Sequence, residues 1–148
     1  MSNLVNCHKL RKSYSQVPLF NEISFSIKEH EHIGVVGPNG SGKSTLLKIL
    51  AKVEEADEGE LSYKTGIRVV YVAQDTDFDP KKTVLHSLED VLEKKGQNVE
   101  DYRMQIDEVL WKLGFEDSSQ LCSELSGGWK KRLSFACGLV QDPNLLLL

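Results

Sequence analysis

The sequence has little cysteine, little proline and no surplus of positive charge. Its three cysteines, Cys7, Cys122 and Cys137, stand far apart, with no C-x-x-C or Cys/His spacing. That disfavours a disulfide scaffold and a zinc site, and reads as reduced, buried thiols in a cytosolic (cytoplasmic) protein. Acidic residues outnumber basic ones 22 to 18, for a formal net charge of −4. A bulk electrostatic grip on nucleic acid or anionic lipid is therefore not indicated, while a local basic patch stays open. No apolar run approaches the roughly 18 residues of a membrane span, so no direct membrane insertion is expected. Residues 1–15 lack the apolar stretch of a secretory signal.

What is present is an ordinary globular mixture: 148 residues, 40% hydrophobic and 27% charged, enough for one domain or a large piece of one. The chain is rich in strand patterns up to about residue 75 and in helical patterns from about 82 to 141. Residues 4–10 read as a short strand, and Ile23-Ser24-Phe25-Ser26-Ile27 alternates as a half-buried strand does. Residues 59–63 and 67–72 are two further strand candidates. His32-Ile33-Gly34-Val35-Val36 is a short run rich in β-branched residues that reads as a strand ahead of a glycine-rich loop. Helical spacing follows in Leu46, Leu47 and Leu50, in Val84, Leu85, Leu88, Val91 and Leu92, in Ile106, Val109, Leu110 and Leu113, and in Leu133, Ala136, Cys137 and Val140. Asp142-Pro143 ends the last helix. The leucines 145–148 then read as a central strand buried on both faces.

The loop carries the chemistry. Gly37-Pro38-Asn39-Gly40-Ser41-Gly42-Lys43-Ser44 matches G-x-x-x-x-G-K-[ST] at every fixed position. Its glycines let the backbone form a nest of N–H groups around phosphate oxygens. The helix that opens at the loop adds its own N–H groups and positive dipole end. Lys43 supplies a point charge for the β- and γ-phosphates, the Ser44 hydroxyl a ligand for Mg²⁺, and Thr45 a further bond to the α-phosphate. The alternative, a plain glycine-rich turn, is weakened by the strand–loop–helix context. A second candidate anion site is Ser126-Gly127-Gly128 at the start of the last helix, where a cap hydroxyl and exposed N–H groups converge. Taken alone it reads equally as a simple N-cap with a flexible hinge.

The two motifs together, with a helical insert between them, resemble the ATP-binding cassette (ABC) ATPase domain over the whole chain. Leu125-Ser126-Gly127-Gly128 is similar to that family's signature motif, and Gln74 to its Q-loop glutamine. Tyr14 lies where the family carries an aromatic that stacks on adenine, a contact of about 1–3 kcal/mol per base. The resemblance implies an α/β P-loop NTPase: an N-terminal antiparallel β subdomain, an incomplete RecA-like parallel core and an α-helical subdomain. On that reading residues 1–75 hold the nucleotide-binding part, 76–141 the helical subdomain, and 142–148 the start of the Walker B strand.

It also implies roles. Tyr14 would hold the base, residues 37–45 the phosphates, and Ser44 with Gln74 the Mg²⁺. Ser126, Gly127 and Gly128 would close over the ATP of a second cassette, head to tail. Tyr14 could instead pack a turn, and Gln74 could be an ordinary strand end. Trp129 after Ser-Gly-Gly, followed by Lys130-Lys131-Arg132, resembles the soluble ABC-F class, many of whose members act on ribosomes. Those lysines and arginine read equally as a solvated helix face. The 52 residues from Gln74 to Ser126 lack the longer insertion of some ABC-F members. The other implied role is the ATP-binding subunit of a transporter, partnered by a membrane permease.

The family's Walker B aspartate and the following glutamate fall beyond Leu148. His8, His30, His32 and His86 occupy no position of its histidine switch, and Asp142 precedes the leucines. The 148 residues alone are therefore expected to bind ATP weakly and not to hydrolyse it. An uncovered side of the leucine strand is expected to be an aggregation hazard.

Overall fold

A computed structural model of the protein describes residues 2–148, which divide into two units. The first runs to Tyr71 and includes Leu147; the second spans Val72–Leu146 with Leu148.

The first unit is built on three antiparallel strands, β1 (Asn3–Ser13), β2 (Pro18–Lys28) and β3 (Glu58–Tyr63), in the order β2-β1-β3. Val5, Asn6 and Cys7 pair on both sides, Cys7 lying opposite Phe25 in β2 and Leu61 in β3. The period of two explains the pattern: Val5 and Cys7 are buried while Asn6 and His8 are exposed. The register breaks after Cys7 and His8 of β1. Lys9, Glu22 and Gly59, one on each strand, take positive φ of 50°, 52° and 99° around these breaks. Such bulges raise the local twist and bend the strands.

Helix α1 (Lys43–Leu50) packs through Leu46, Ile49 and Leu50, the i, i+3, i+4 positions of an amphipathic helix. A short strand, β4 (Val69–Tyr71), ends the unit's continuous stretch. The run of residues 32–36 is not a strand. Ile33, Val35 and Val36 are exposed, Val36 at 93%. β-propensity needs a neighbouring strand to pair with, and among the described residues none pairs with this run.

The second unit is helical: α2 (Val84–Lys94), α3 (Arg103–Lys112) and α4 (Gly127–Leu139), with 3₁₀ turns at Val99–Tyr102 and Cys122–Glu124. Thr83 starts α2, its hydroxyl accepting a 3.1 Å bond from the His86 N–H. Leu88, Leu92, Ile106, Leu133, Ala136 and Val140 form the centre of a single apolar core. The lead into α2 is tied to the segment before α4. Val84 N–H donates to the Gln120 carbonyl, and Cys122 N–H to the Lys82 carbonyl, both at 2.9 Å. Leu145–Leu147 form the expected strand, β5. Its burial falls short of the two-face expectation: Leu145 and Leu146 are half-buried, Leu147 is buried, and Leu148 beyond it is 61% exposed. A strand is buried on both faces only where layers cover both.

All three cysteines are free and buried. Burial pushes the Cys7 thiol up to about 11 and the Cys137 thiol up to about 12, so neither is a thiolate near neutrality. Among the described residues no helix is long and apolar enough to cross a membrane.

Candidate nucleotide site

In the first unit the chain runs from exposed residues 32–36 into the loop Gly37, Pro38, Asn39, Gly40, Ser41 and Gly42, and α1 begins at once with Lys43. The Lys43 ammonium turns back into the loop, donating to the carbonyls of Gly37 at 2.6 Å and Pro38 at 2.9 Å. Ser41 N–H bonds the Pro38 carbonyl at 3.2 Å, closing the turn. Gly42 is the N-cap of α1 at φ 95°, and a Cβ there would lie 3.1 Å from the Phe20 ring. No side chain caps α1, so its positive end is left to the loop. Ser44 is exposed on the first turn and Thr45 half-buried beside it. A left-handed glycine turn, a helix N-terminus and a lysine held inside the loop are the donor set that a triphosphate requires. The residues present fit that group.

Tyr14 follows β1 and is 64% exposed. Its hydroxyl donates to Glu54 Oε1. Lys12 Nζ lies 3.3 Å from Glu54 and 3.3 Å from Asp57, donates to the Glu55 carbonyl at 2.8 Å, and stands 5.3 Å from the centre of the Tyr14 ring. The Tyr14 hydroxyl holds the Glu54 carboxyl below its ordinary range. The Ser13 backbone N–H, followed by its hydroxyl, does the same for Asp57.

In the second unit Gln74 is exposed on a bend three residues past β4. It lines a cavity of about 480 Å³ with Asp75, Lys131, Ser134 and Phe135. Ser126 is the N-cap of α4, its Oγ accepting from Trp129 N–H at 3.5 Å, and Gly127 and Gly128 form the exposed first turn. Trp129 meets Phe115 edge-on with ring centres 5.1 Å apart. Arg132 stacks 4.6 Å over the Trp129 ring and donates to the Leu113 carbonyl at 3.3 Å. Arg132 therefore serves the packing of α4 against the end of α3, while Lys130 and Lys131 stay exposed. Among the described residues no group of three or more His, Cys, Asp or Glu side chains is assembled to hold a metal.

The loop and the Ser126 cap lie where the sequence put them, while Glu54, Lys12 and Phe115 were not anticipated. Glu54 is 40 residues from Tyr14 and Phe115 is 14 from Trp129, and no local pattern links such pairs.

A family profile described as ABC transporter matches residues 20–148. The chain is 33% identical over 181 residues to the uncharacterized ABC transporter ATP-binding protein YfmR of Bacillus subtilis (strain 168), covering 99% of this chain and 29% of that one. It is 30% identical over 190 residues to ABC transporter F family member 5 of Arabidopsis thaliana, covering 100% of this chain and 28% of that one. The chain thus spans less than a third of the length of these two relatives. Among solved structures, the ATP-binding subunit of an ABC transporter superposes with a TM-score of 0.84 at 20% identity, covering 97% of this chain and 64% of that one. That likeness fixes the fold as an ABC ATPase cassette.

Proposed function

The chain belongs to the ABC transporter family of ATP-binding cassettes, and from that premise we propose that it is the nucleotide-binding part of a soluble, cytoplasmic ABC-F-type ATPase that acts on the ribosome. The observation that carries the nucleotide reading is Lys43 drawn into a loop of left-handed glycines at the N-terminus of α1. Residues 37–45 hold the phosphates of ATP and Tyr14 stacks on its base. Ser44 and, by the family resemblance, Gln74 would supply oxygen ligands to Mg²⁺, which would neutralise phosphate charge during phosphoryl transfer. Ser126, Gly127 and Gly128 present a cap hydroxyl and helix N–H groups to the ATP of a second cassette.

Two features support the ABC-F reading over a permease-bound subunit. They are the Trp129 that follows Ser-Gly-Gly and the exposed Lys130 and Lys131 beside it.

Lys43→Ala removes the phosphate charge and is expected to abolish measurable ATP binding in equilibrium titration; unchanged affinity would refute the phosphate-loop assignment. Sedimentation of the full-length protein with ribosomes in the presence of a non-hydrolysable ATP analogue tests the target. Recovery in membranes with a permease instead would assign the transporter role.

A further inference from the structure

We propose that Glu54, supported by Lys12, is a positioning residue that locks the Tyr14 ring in place for base stacking. The proposal rests on the reading of Tyr14 as the base platform. An exposed tyrosine in a turn is ordinarily free to change rotamer, and a base that stacks on it must bear the cost of ordering it. Tyr14 is not free: its hydroxyl is bonded to Glu54, although the ring itself stays 64% exposed. The tether leaves the aromatic face available while removing the freedom of the side chain.

The anchor is itself tied to the helix. Glu54 lies four residues past the end of α1, and the Val53 and Glu54 N–H groups both donate to the Lys48 carbonyl in the last turn, at 2.9 and 3.3 Å. Lys43, at the other end of the same helix, sits in the phosphate loop. Eight residues of helix span about 12 Å. One short helix therefore carries the phosphate loop at its first turn and the tether of the base platform just past its last.

Lys12 completes the device. It offsets the Glu54 charge at 3.3 Å and is fixed in turn by Asp57 and the Glu55 carbonyl. Its ammonium stands 5.3 Å over the Tyr14 ring, within reach of the ring's quadrupole. A cation over one face leaves the opposite face for a base.

The test separates the clamp from the platform. MgATP and inorganic tripolyphosphate are titrated into the full-length protein and its Tyr14→Ala, Tyr14→Phe and Glu54→Gln variants, with thermal midpoints recorded for each. Tyr14→Ala is expected to weaken MgATP by about 5- to 100-fold and leave tripolyphosphate unchanged. Tyr14→Phe keeps the ring but cannot donate, and Glu54→Gln keeps only a neutral acceptor. Each is expected to weaken MgATP by about 3- to 10-fold, again sparing tripolyphosphate, with no further loss in the double variant. Wild-type MgATP affinity in Tyr14→Phe and Glu54→Gln, beside a loss in Tyr14→Ala, would overturn the clamp and leave the platform standing. No loss in Tyr14→Ala would overturn both. An equal loss for MgATP and tripolyphosphate in Glu54→Gln would make Glu54 a structural residue of α1 and overturn the clamp.

Discussion

Gly59 shows what a single residue decides. It sits in β3 at φ 99°, and a Cβ there would lie 2.4 Å from the Lys9 carbonyl oxygen. That obstacle is backbone, so no side chain can move to relieve it. Gly59→Ala combines a left-handed alanine with this clash and is expected to cost about 2 kcal/mol or more, read as a lowered urea midpoint. Asp57 makes a different residue-scale statement. Ser13, by its backbone N–H first and then its hydroxyl, holds the folded carboxyl below its unfolded value. A depressed folded value means that the contribution is complete above the unfolded value of about 3.9 and is lost as pH falls through the lower folded one. The thermal midpoints of the wild type and Asp57→Asn should therefore differ near neutrality and converge as the medium is acidified below about pH 4. A gap that persists unchanged in acid would mean that the carboxylate charge plays no part. Neither effect is legible in the sequence: Gly59 reads as an ordinary strand residue, and Asp57 reaches across 44 positions to Ser13.

Helix α4 is the element on which the family resemblance turns, and Trp129 is its pivot. Its ring takes the edge contact with Phe115 and carries Arg132, whose guanidinium also holds the Leu113 carbonyl past the end of α3. Trp129→Gln removes the aromatic contact and the platform for Arg132 together. A loss of about 1.5–3 kcal/mol is expected, measured by urea unfolding of the full-length protein. A loss below about 0.5 kcal/mol would show that the stack adds nothing to the α3–α4 packing. The sequence reads this cluster as an ABC-F-like feature or a solvated helix face, because Trp129 and Arg132 are neighbours on one helix while Leu113 and Phe115 come from the segment just past α3. The helices themselves were plain in the sequence: Leu88, Leu92, Ile106, Val109, Leu133 and Val140 recur at helical spacing and all reach the core. Ser126 marked the start of α4 by the same capping chemistry that the structure displays there and at Thr83 of α2. A helix satisfies its hydrogen bonds within a contiguous segment, so a local pattern suffices to announce it.

Residues 32–36 mark where local pattern stops being enough at the scale of the whole molecule. Their β-branched composition is that of a strand, but a strand completes its hydrogen bonds only with a partner, and partners are set by the entire chain. Here Ile33, Val35 and Val36 lie exposed, immediately before the loop that holds Lys43. Contiguous exposed β-branched residues of low charge template pairing between chains. The 148-residue polypeptide is therefore expected to self-associate through this run, and Val36→Lys to suppress it. Light scattering should report a delayed onset of association in the variant, with its thermal midpoint within a few degrees of the parent, because a residue 93% exposed contributes little packing. In the full-length protein the same substitution discriminates two arrangements. If another segment pairs with this run, a lysine placed against it lowers the midpoint by several degrees and weakens ATP binding, because the segment entering the phosphate loop loses its support. If the run stays exposed there too, midpoint and affinity both hold. A destabilised 148-residue variant would instead show that Val36 is packed within these residues, and would remove the run as the source of association.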